Sequence, residues 1–182
     1  MTLKRSKTTL NVCASWAYSM DTLTRRCGAQ IMIDKSKMLS LVSELAKVKS
    51  EQDTLAALAI YHSEIELVSP SFNALATGSE QVEQQLKVFF SLFPDYEVSI
   101  EQQAVNEDVL LATGQVWVTP NIPGKECSRI QLPVFIEFHF RDKRISKEVF
   151  YLDAGMVCKK AGITPQDLTN ATRAILAEKT AS

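Results

Sequence analysis

The sequence predicts an α+β protein whose helices pack on one face of an antiparallel sheet. Between residues 36 and 93, apolar residues recur at steps of three and four positions, which is typical of amphipathic helices. After Pro94 the period changes to two, because apolar and polar residues alternate as they do in half-buried strands. Helices followed by a run of strands predict two segregated layers.

Three helices are predicted in the first half of the chain. The first starts at Ser36, and its apolar stripe consists of Met38, Leu41, Val42, Leu45 and Val48. The second covers residues 52–64 and is apolar over a wide arc, so it should be well buried. The third begins at Thr77, which has capping-box spacing to Glu80, and it stops at Pro94.

The second half of the chain is predicted to form the sheet and to end in a helix. A short β-prone segment lies earlier, at residues 65–68, and the predicted strands are a segment from Tyr96 and then residues 109–119, 128–140 and 145–153. The last helix covers residues 165–179, with Thr164 as its N-cap and Pro165 at its first position.

Composition and motifs exclude several classes of function. The chain is 46% hydrophobic and carries a formal net charge of -1, so we expect no nucleic-acid partner, and without an apolar run of eighteen residues we expect no membrane span. The four cysteines are scattered, and His62 and His139 do not cluster with them, so no metal site is predicted. Because glycine-rich phosphate loops and hydrolase or zinc-protease motifs are absent, we expect no cofactor.

Residues 1–30 differ in charge from the rest of the chain. Five Lys or Arg minus one Asp gives +4 there, whereas residues 31–182 hold fifteen basic and twenty acidic residues, which gives -5. We expect a basic leader followed by a single domain of residues 31–182. An organelle presequence, a poorly ordered leader and a later start at Met32 or Met38 all suit the leader's acid-poor composition. The expected location is cytoplasmic, with organelle targeting as the alternative.

Three segments resemble a known family. The segment LFPDYEV at residues 92–98, the segment FHFRDKRI at residues 138–145, and Tyr151-Leu152-Asp153 followed by Gly162 are similar to the sheet entry, hairpin and closing strand of the SnoaL-like polyketide cyclases. This family belongs to the nuclear transport factor 2-like superfamily. The resemblance implies a cone in which a curved sheet wraps around the helices and leaves an apolar cavity open at one end.

The resemblance also implies two catalytic residues. In these cyclases a histidine and an aspartate fourteen positions later act on the substrate, and His139 and Asp153 stand at that separation. A carboxylate held among apolar side chains would have a raised pKa and could exchange a proton with a carbon acid. The residues expected to line the pocket are Tyr61, His62, Trp117, Phe138 and Tyr151.

The alternation of the last two strands predicts which of their side chains face the cavity. If position 140 faces 145, then Asp153 shares the concave face with Val149 and Tyr151. His139 would then lie on the opposite face, unless a bulge or a three-residue turn changes the register. Lys143 stands where the family's hairpin carries glycine, so a turn wider than two residues is expected.

Other roles remain open for these residues. Asp153 could cap a short helix at residues 154–160, and His139 could be a surface histidine paired with Glu137 or Glu148. Apolar side chains on the outer sheet face, namely Phe135, Phe150 and Leu152, favour a homodimer through that face.

Two functions are compatible with these observations. The first is a cofactor-free cyclase, isomerase or lyase acting on a hydrophobic carbonyl compound. The second is a non-catalytic ligand-binding or protein-interaction module of the same fold, because a fold does not determine a function.

Overall fold

The computed structural model of the chain describes residues 33–180, so the predictions for the basic leader lie outside the described residues. The helices are α1 (Lys35–Ser50), α2 (Thr54–Ile60), α3 (Gly78–Leu92), α4 (Ala154–Ala161) and α5 (Pro165–Thr180). The strands are β1 (Tyr61–Ser69), β2 (Ala74–Thr77), β3 (Glu97–Asn106), β4 (Val109–Val118), β5 (Ile130–Arg141) and β6 (Arg144–Leu152). Within the described range, no helix has the length and hydropathy needed to cross a membrane.

The six strands form one mixed sheet in the order β2-β1-β6-β5-β4-β3. Every pairing is antiparallel except that of β1 with β6, which is parallel. The predicted α+β class is therefore confirmed, while the expectation of a purely antiparallel sheet is wrong. The parallel pair arises because β1 is followed by β2 and α3 and not by a hairpin to β6, so a long connection separates the two strands.

The predicted second helix is too long, because it ends at Ile60 and not at residue 64. Tyr61 has extended backbone angles and begins β1, whose pairing with β6 outweighs the helical periodicity of residues 61–64. His62 therefore lies on a strand and not on the buried side of a helix.

The helix ends largely follow their capping residues. Asp34 and Asp53 accept hydrogen bonds from backbone N–H groups in the first turns of α1 and α2. Thr164 and Asp167 bond reciprocally at the start of α5, as the predicted N-cap requires. At α3 the predicted capping box does not form, although Thr77 is the N-cap residue.

One hydrophobic core lies between the helices and the inner face of the sheet. The stripe predicted for α1 is buried except at Val48, which is partly buried, and α3 contributes Val82, Leu86 and Phe90. The sheet contributes alternate residues of its long strands, among them Leu110, Ala112, Val116, Leu132, Val134, Ile136, Phe138 and Phe140. Each fully buried side chain of this size contributes about 1.5–3 kcal/mol relative to exposure.

The turn between β5 and β6 is tighter than predicted. Only Asp142 and Lys143 lie between the paired Arg141 and Arg144, and both turn residues have positive φ, 51° and 62°. The expectation of a wider turn is therefore wrong. Lys143 adopts the left-handed conformation that glycine would adopt at lower cost.

A bulge in β6 changes which side chains face the core. Phe140 pairs with Ile145, but His139 pairs with Lys147, so Ser146 is the extra residue. Beyond the bulge Glu148, Phe150 and Leu152 face inward, and Tyr151 is 42% exposed on the outer face. The prediction that Val149, Tyr151 and Asp153 share the concave face is wrong, because one extra residue reverses the alternation.

Candidate functional site

A half-open cavity of about 110 Å³ lies between α3, α5 and the inner face of the sheet. Its wall is mainly apolar and aromatic, and includes Phe72, Leu86, Phe89, Phe90, Leu92 and Phe150. Polar side chains enter it as two groups: Lys49, Tyr96 and Glu148, and Ser69, Gln85 and Thr172. An apolar cavity with a few polar groups is the usual form of a small-molecule site.

The polar centre of the cavity is Glu148, which is only 1% exposed. The Lys49 ammonium donates to both carboxylate oxygens, at 2.6 Å to Oε1 and 2.8 Å to Oε2. The Tyr61 hydroxyl also donates to Oε2. Together with Tyr96, these residues are called the Glu148 cluster below.

Burial of the Glu148 charge is compensated by these three donated bonds. An unpaired ion in this position would cost on the order of several kcal/mol, so the carboxylate depends on Lys49 and Tyr61. An ionised carboxylate has about four acceptor positions, and three of them are used here. Glu148 therefore retains the capacity to accept from one further donor.

The two tyrosines of the cluster are neutral hydrogen-bond donors. Burial, followed by the charge of Glu148 and the bond to it, raises the pKa of Tyr61 well above its usual value. Burial and the charge of Glu148 likewise raise the pKa of Tyr96. Both phenols therefore keep their protons at neutral pH.

The Tyr96 hydroxyl has no hydrogen-bond partner among residues 33–180. Every sealed side-chain nitrogen or oxygen in that part of the chain does have a partner. The Tyr96 hydroxyl is therefore not sealed, and a water-sized molecule can reach it. Tyr96 and Glu148 both line this cavity.

Asp153, the predicted catalytic carboxylate, lies outside the cavity. It is exposed and is the N-cap of α4, where its Oδ1 accepts from the Met156 backbone N–H at 2.9 Å. The structure thus shows the capping arrangement that the sequence left open. It follows from the Ser146 bulge, which turns this end of β6 so that Tyr151 and not Phe150 is exposed.

His139 also lies outside the cavity. Its Nε2 is 2.5 Å from Glu137 Oε1 on the outer face of the sheet, and a third of its side chain is exposed. The Glu137 partner is one of the two considered from the sequence. The structure does not bring His139 and Asp153 together at the cavity.

None of the five residues predicted to line the pocket lines this cavity. Tyr61 reaches it indirectly, through its bond to Glu148. His62 lies on β1, where its Nδ1 accepts from the Glu64 N–H at 3.0 Å, and its Nε2 is 3.5 Å from Asp142 Oδ2 in the β5–β6 turn. Phe138 is buried in the core. Trp117 is partly exposed and Tyr151 is exposed, both on the outer face of the sheet.

The residues that form the cluster were missed because the sequence pattern placed Glu148 on the wrong face. Large apolar residues stand at both alternating sets of β6, so periodicity alone does not choose between them. One signal was available in the sequence. Lys49 lies one position after Val48, at the end of the apolar stripe of α1, and a lysine buried there requires a partner of opposite charge.

Within residues 33–180, no group of three or more His, Cys, Asp or Glu residues could hold a metal ion. The polar groups of the Glu148 cluster are a carboxylate, an ammonium group and two phenols, of which Tyr61 reaches the cavity only through its bond to Glu148.

Comparison with known families places the chain. A family model described as a SnoaL-like domain matches residues 42–148, more than half of the 182 residues. The chain belongs to the SnoaL-like domain family. The resemblance to this family is thus confirmed. The match includes the segments at residues 92–98 and 138–145 and ends at Glu148, before the third segment and before α4 and α5. A comparison with curated proteins gave no significant match.

Solved structures share the fold of this SnoaL-like domain. A proposed SnoaL-like polyketide cyclase from Jannaschia sp. CCS1 has TM-score 0.63 and 16% identity, covering 77% of this chain and 98% of that one. A hypothetical protein from Catenulispora acidiphila DSM 44928 has a ketosteroid isomerase-like fold and was solved in complex with trimethylamine. Its TM-score is 0.62 at 15% identity, and the match covers 68% of this chain and 93% of that one. A proposed hydroxylase from Streptomyces galilaeus has TM-score 0.60 and 15% identity, and the match covers 72% of this chain and 89% of that one.

These superpositions establish a nuclear transport factor 2-like, ketosteroid isomerase-like fold for the SnoaL-like domain. At such identities they describe the fold alone, because one fold supports many reactions.

Proposed function

We propose that this SnoaL-like protein is an enzyme that carries out cofactor-free proton transfer on an apolar carbonyl compound in this cavity. The observation that carries the proposal is that one apolar cavity is lined by both a carboxylate and an unpartnered phenol. Glu148 supplies the carboxylate and Tyr96 supplies the phenol. A base and an oxygen-stabilising donor are the two groups that enolisation needs.

In the proposed reaction, Glu148 accepts a proton from the carbon next to the substrate carbonyl. The C–H electron pair becomes the new carbon–carbon double bond, and the carbonyl π pair moves to oxygen. The Tyr96 hydroxyl donates a hydrogen bond to that oxygen as its negative charge develops. Return of the proton from Glu148 to a different carbon of a conjugated enolate, with the oxygen lone pair re-forming the carbonyl, isomerises the substrate.

Lys49 and Tyr61 act in this scheme as positioning residues. Their bonds to its two oxygens hold the Glu148 side chain in place at the cavity wall. Asp153 and His139 have no part in the proposed reaction, because neither lines the cavity.

The proposal is tested by following hydrogen–deuterium exchange at the α-carbons of cyclohexanone in D₂O by NMR. We expect the wild type to catalyse exchange and Glu148→Gln to lower the rate at least about 100-fold, since a general base contributes about 10²–10⁴-fold. Glu137→Gln, which removes a carboxylate on the outer face of the sheet, is the matched control and should exchange like the wild type. Unchanged exchange in a folded Glu148→Gln variant would overturn the proposal.

A non-catalytic binding role is the second candidate, because three of the four acceptor positions of Glu148 are already occupied within the protein. It predicts that ligands raise the melting temperature while the wild type catalyses no exchange. That combination of results would favour binding over catalysis.

A further inference from the structure

Helix α5 completes the wall of the cavity through Thr172. This helix lies beyond residues 42–148, the part of the chain that the SnoaL-like family model matches. On the same wall, Gln85 of α3 approaches Ser69 of β1, with 3.5 Å between Nε2 and Oγ. An element outside the family match therefore limits the space that the common fold encloses.

We propose that the cavity takes compounds with a single ring and one oxygen function, such as a phenol or a cyclic ketone, and that Thr172 sets this size limit. The inference rests on the proposed function only in taking the cavity as the ligand site. It adds the size class of the ligand and the residue that determines it.

The volume of the cavity carries the size limit. At about 110 Å³ it is close to the ~150 Å³ of an apolar cavity that holds benzene. Sites for drug-sized ligands measure about 300–1,000 Å³. A compound with two or more fused rings requires more space than this cavity contains.

The arrangement of aromatic side chains suits a ring-shaped ligand. Phe89 meets Phe150 edge-to-face, with centroids 5.8 Å apart and planes at 81°, and it meets Phe72 similarly at 6.4 Å and 87°. These rings turn both edges and faces toward their neighbours, and a ligand ring in contact with them gains the favoured perpendicular geometry.

The polar groups account for a single oxygen function. The Tyr96 hydroxyl is a free donor and Glu148 has one free acceptor position, so one ligand hydroxyl or carbonyl is bound at this cluster. The other polar side chains of the cavity, Ser69, Gln85 and Thr172, already have partners within the protein. Thr172 Oγ1 donates to the Leu168 carbonyl at 2.9 Å, and Gln85 approaches Ser69. These three side chains therefore have fewer free hydrogen-bonding positions for a second ligand oxygen.

The size rule is tested by calorimetric titration of the full chain with phenol, 2-naphthol and a four-ring phenolic steroid. We expect the wild type to bind phenol at least about tenfold more tightly than either larger compound. Equal or tighter binding of 2-naphthol or the steroid by the wild type would overturn the proposal.

Two variants test the role of Thr172. Thr172→Phe should fill the cavity and weaken phenol binding at least about tenfold, whereas Thr172→Ala should shift the ratio of affinities toward 2-naphthol. Thr169→Phe is the matched control, because Thr169 Oγ1 also donates four residues back, to the Pro165 carbonyl, but its side chain faces solvent. If Thr172→Phe does not fold, the Thr172→Ala ratio decides alone, and an unchanged ratio would overturn the role of Thr172.

The failure of this inference is distinguishable from failure of the proposed reaction. Binding of the size series requires no proton transfer, so it is measured also in Glu148→Gln. A size series that depends on Thr172, together with unchanged ketone exchange in Glu148→Gln, would retain the size rule and reject the reaction. Loss of exchange in Glu148→Gln without any size preference would do the reverse.

Discussion

Lys49 and Glu148 are separated by 99 residues in the sequence, yet Lys49 Nζ lies 2.6 Å from Glu148 Oε1 inside the protein. The lysine is in the last turn of α1, and the glutamate is in β6 beyond the Ser146 bulge. Their contact joins the first helix to the centre of the sheet. It also forms part of the polar wall of the cavity.

The Lys49–Glu148 pair should show strong energetic coupling. Lys49→Met alone should lower the free energy of unfolding by about 3–5 kcal/mol, because it leaves a buried charge with only the Tyr61 bond. The double variant Lys49→Met/Glu148→Leu should cost clearly less than the sum of the single variants, with a coupling energy above about 1 kcal/mol. Urea unfolding measures all four proteins, and additive effects would show that the pair is not coupled.

Asp153 should matter for stability and not for chemistry. Asp153→Ala removes the N-cap of α4 and should cost about 0.5–2 kcal/mol, whereas Asp153→Asn, which caps as well, should change stability little. Neither change should alter cyclohexanone exchange. Thermal unfolding and the exchange assay check the two statements, and a loss of exchange in a folded Asp153→Asn variant would return this residue to the reaction.

Lys143→Gly should stabilise the protein by about 0.5–1 kcal/mol. The lysine has φ of 62°, which costs an ordinary residue about 1–2 kcal/mol, and this exceeds the entropy that glycine loses on folding. Lys37→Gly is the opposite control, since Lys37 is an exposed residue of α1 and its replacement should destabilise by about 1 kcal/mol. Urea unfolding measures both variants, and a change of the same sign in their free energies of unfolding would contradict the explanation.

The buried phenols should make the fold sensitive to alkaline pH. Because the pKa values of Tyr61 and Tyr96 are raised in the folded protein, the stabilisation is present below the ordinary pKa of about 10. It is lost as the pH rises above 10 toward the folded values.

The tyrosinate absorbance of Tyr61 is the difference between the alkaline titrations of the wild type and of Tyr61→Phe. We expect this absorbance to develop only as the far-ultraviolet circular dichroism is lost. Development of that absorbance while the dichroism stays native would show that the Tyr61 phenol ionises inside the fold.

The homodimer through the outer sheet face stays a prediction, with a changed set of residues. Phe150 and Leu152 face the core, whereas the rings of Phe135 and Tyr151 lie 5.6 Å apart and are 36% and 42% exposed. Phe135→Lys should reduce the sedimentation-derived mass to that of a monomer. Leu55→Lys, at an exposed apolar position on α2, should leave it unchanged, and a monomeric wild type would exclude the dimer.

The sequence predicted well those features that depend on local patterns. The stripe of α1, the stop of α3 before Pro94 and the N-cap of α5 at Thr164 follow from periodicity and capping, which act over a few residues. The start of β1 at Tyr61 was missed because residues 61–64 also suit a helix. Pairing with β6, about 85 residues away, decides between the two states.

The candidate site was harder to predict because it depends on register. Alternation assigns faces correctly only while no residue is inserted, and Ser146 is such an insertion. Asp153 was consequently predicted to face the cavity, whereas Glu148 lines it. The alternation within residues 144–152 does not reveal the bulge, because large apolar residues stand at both alternating sets of positions.

The Ser146 bulge has an evolutionary consequence for this strand. A substitution changes one side chain, but loss of a single residue before position 147 would exchange the two faces of all of β6 that follows. Lys147, Val149 and Tyr151 would then enter the interior in place of Glu148, Phe150 and Leu152. A single deletion there would thus replace several cavity-facing side chains at once, which no point mutation does.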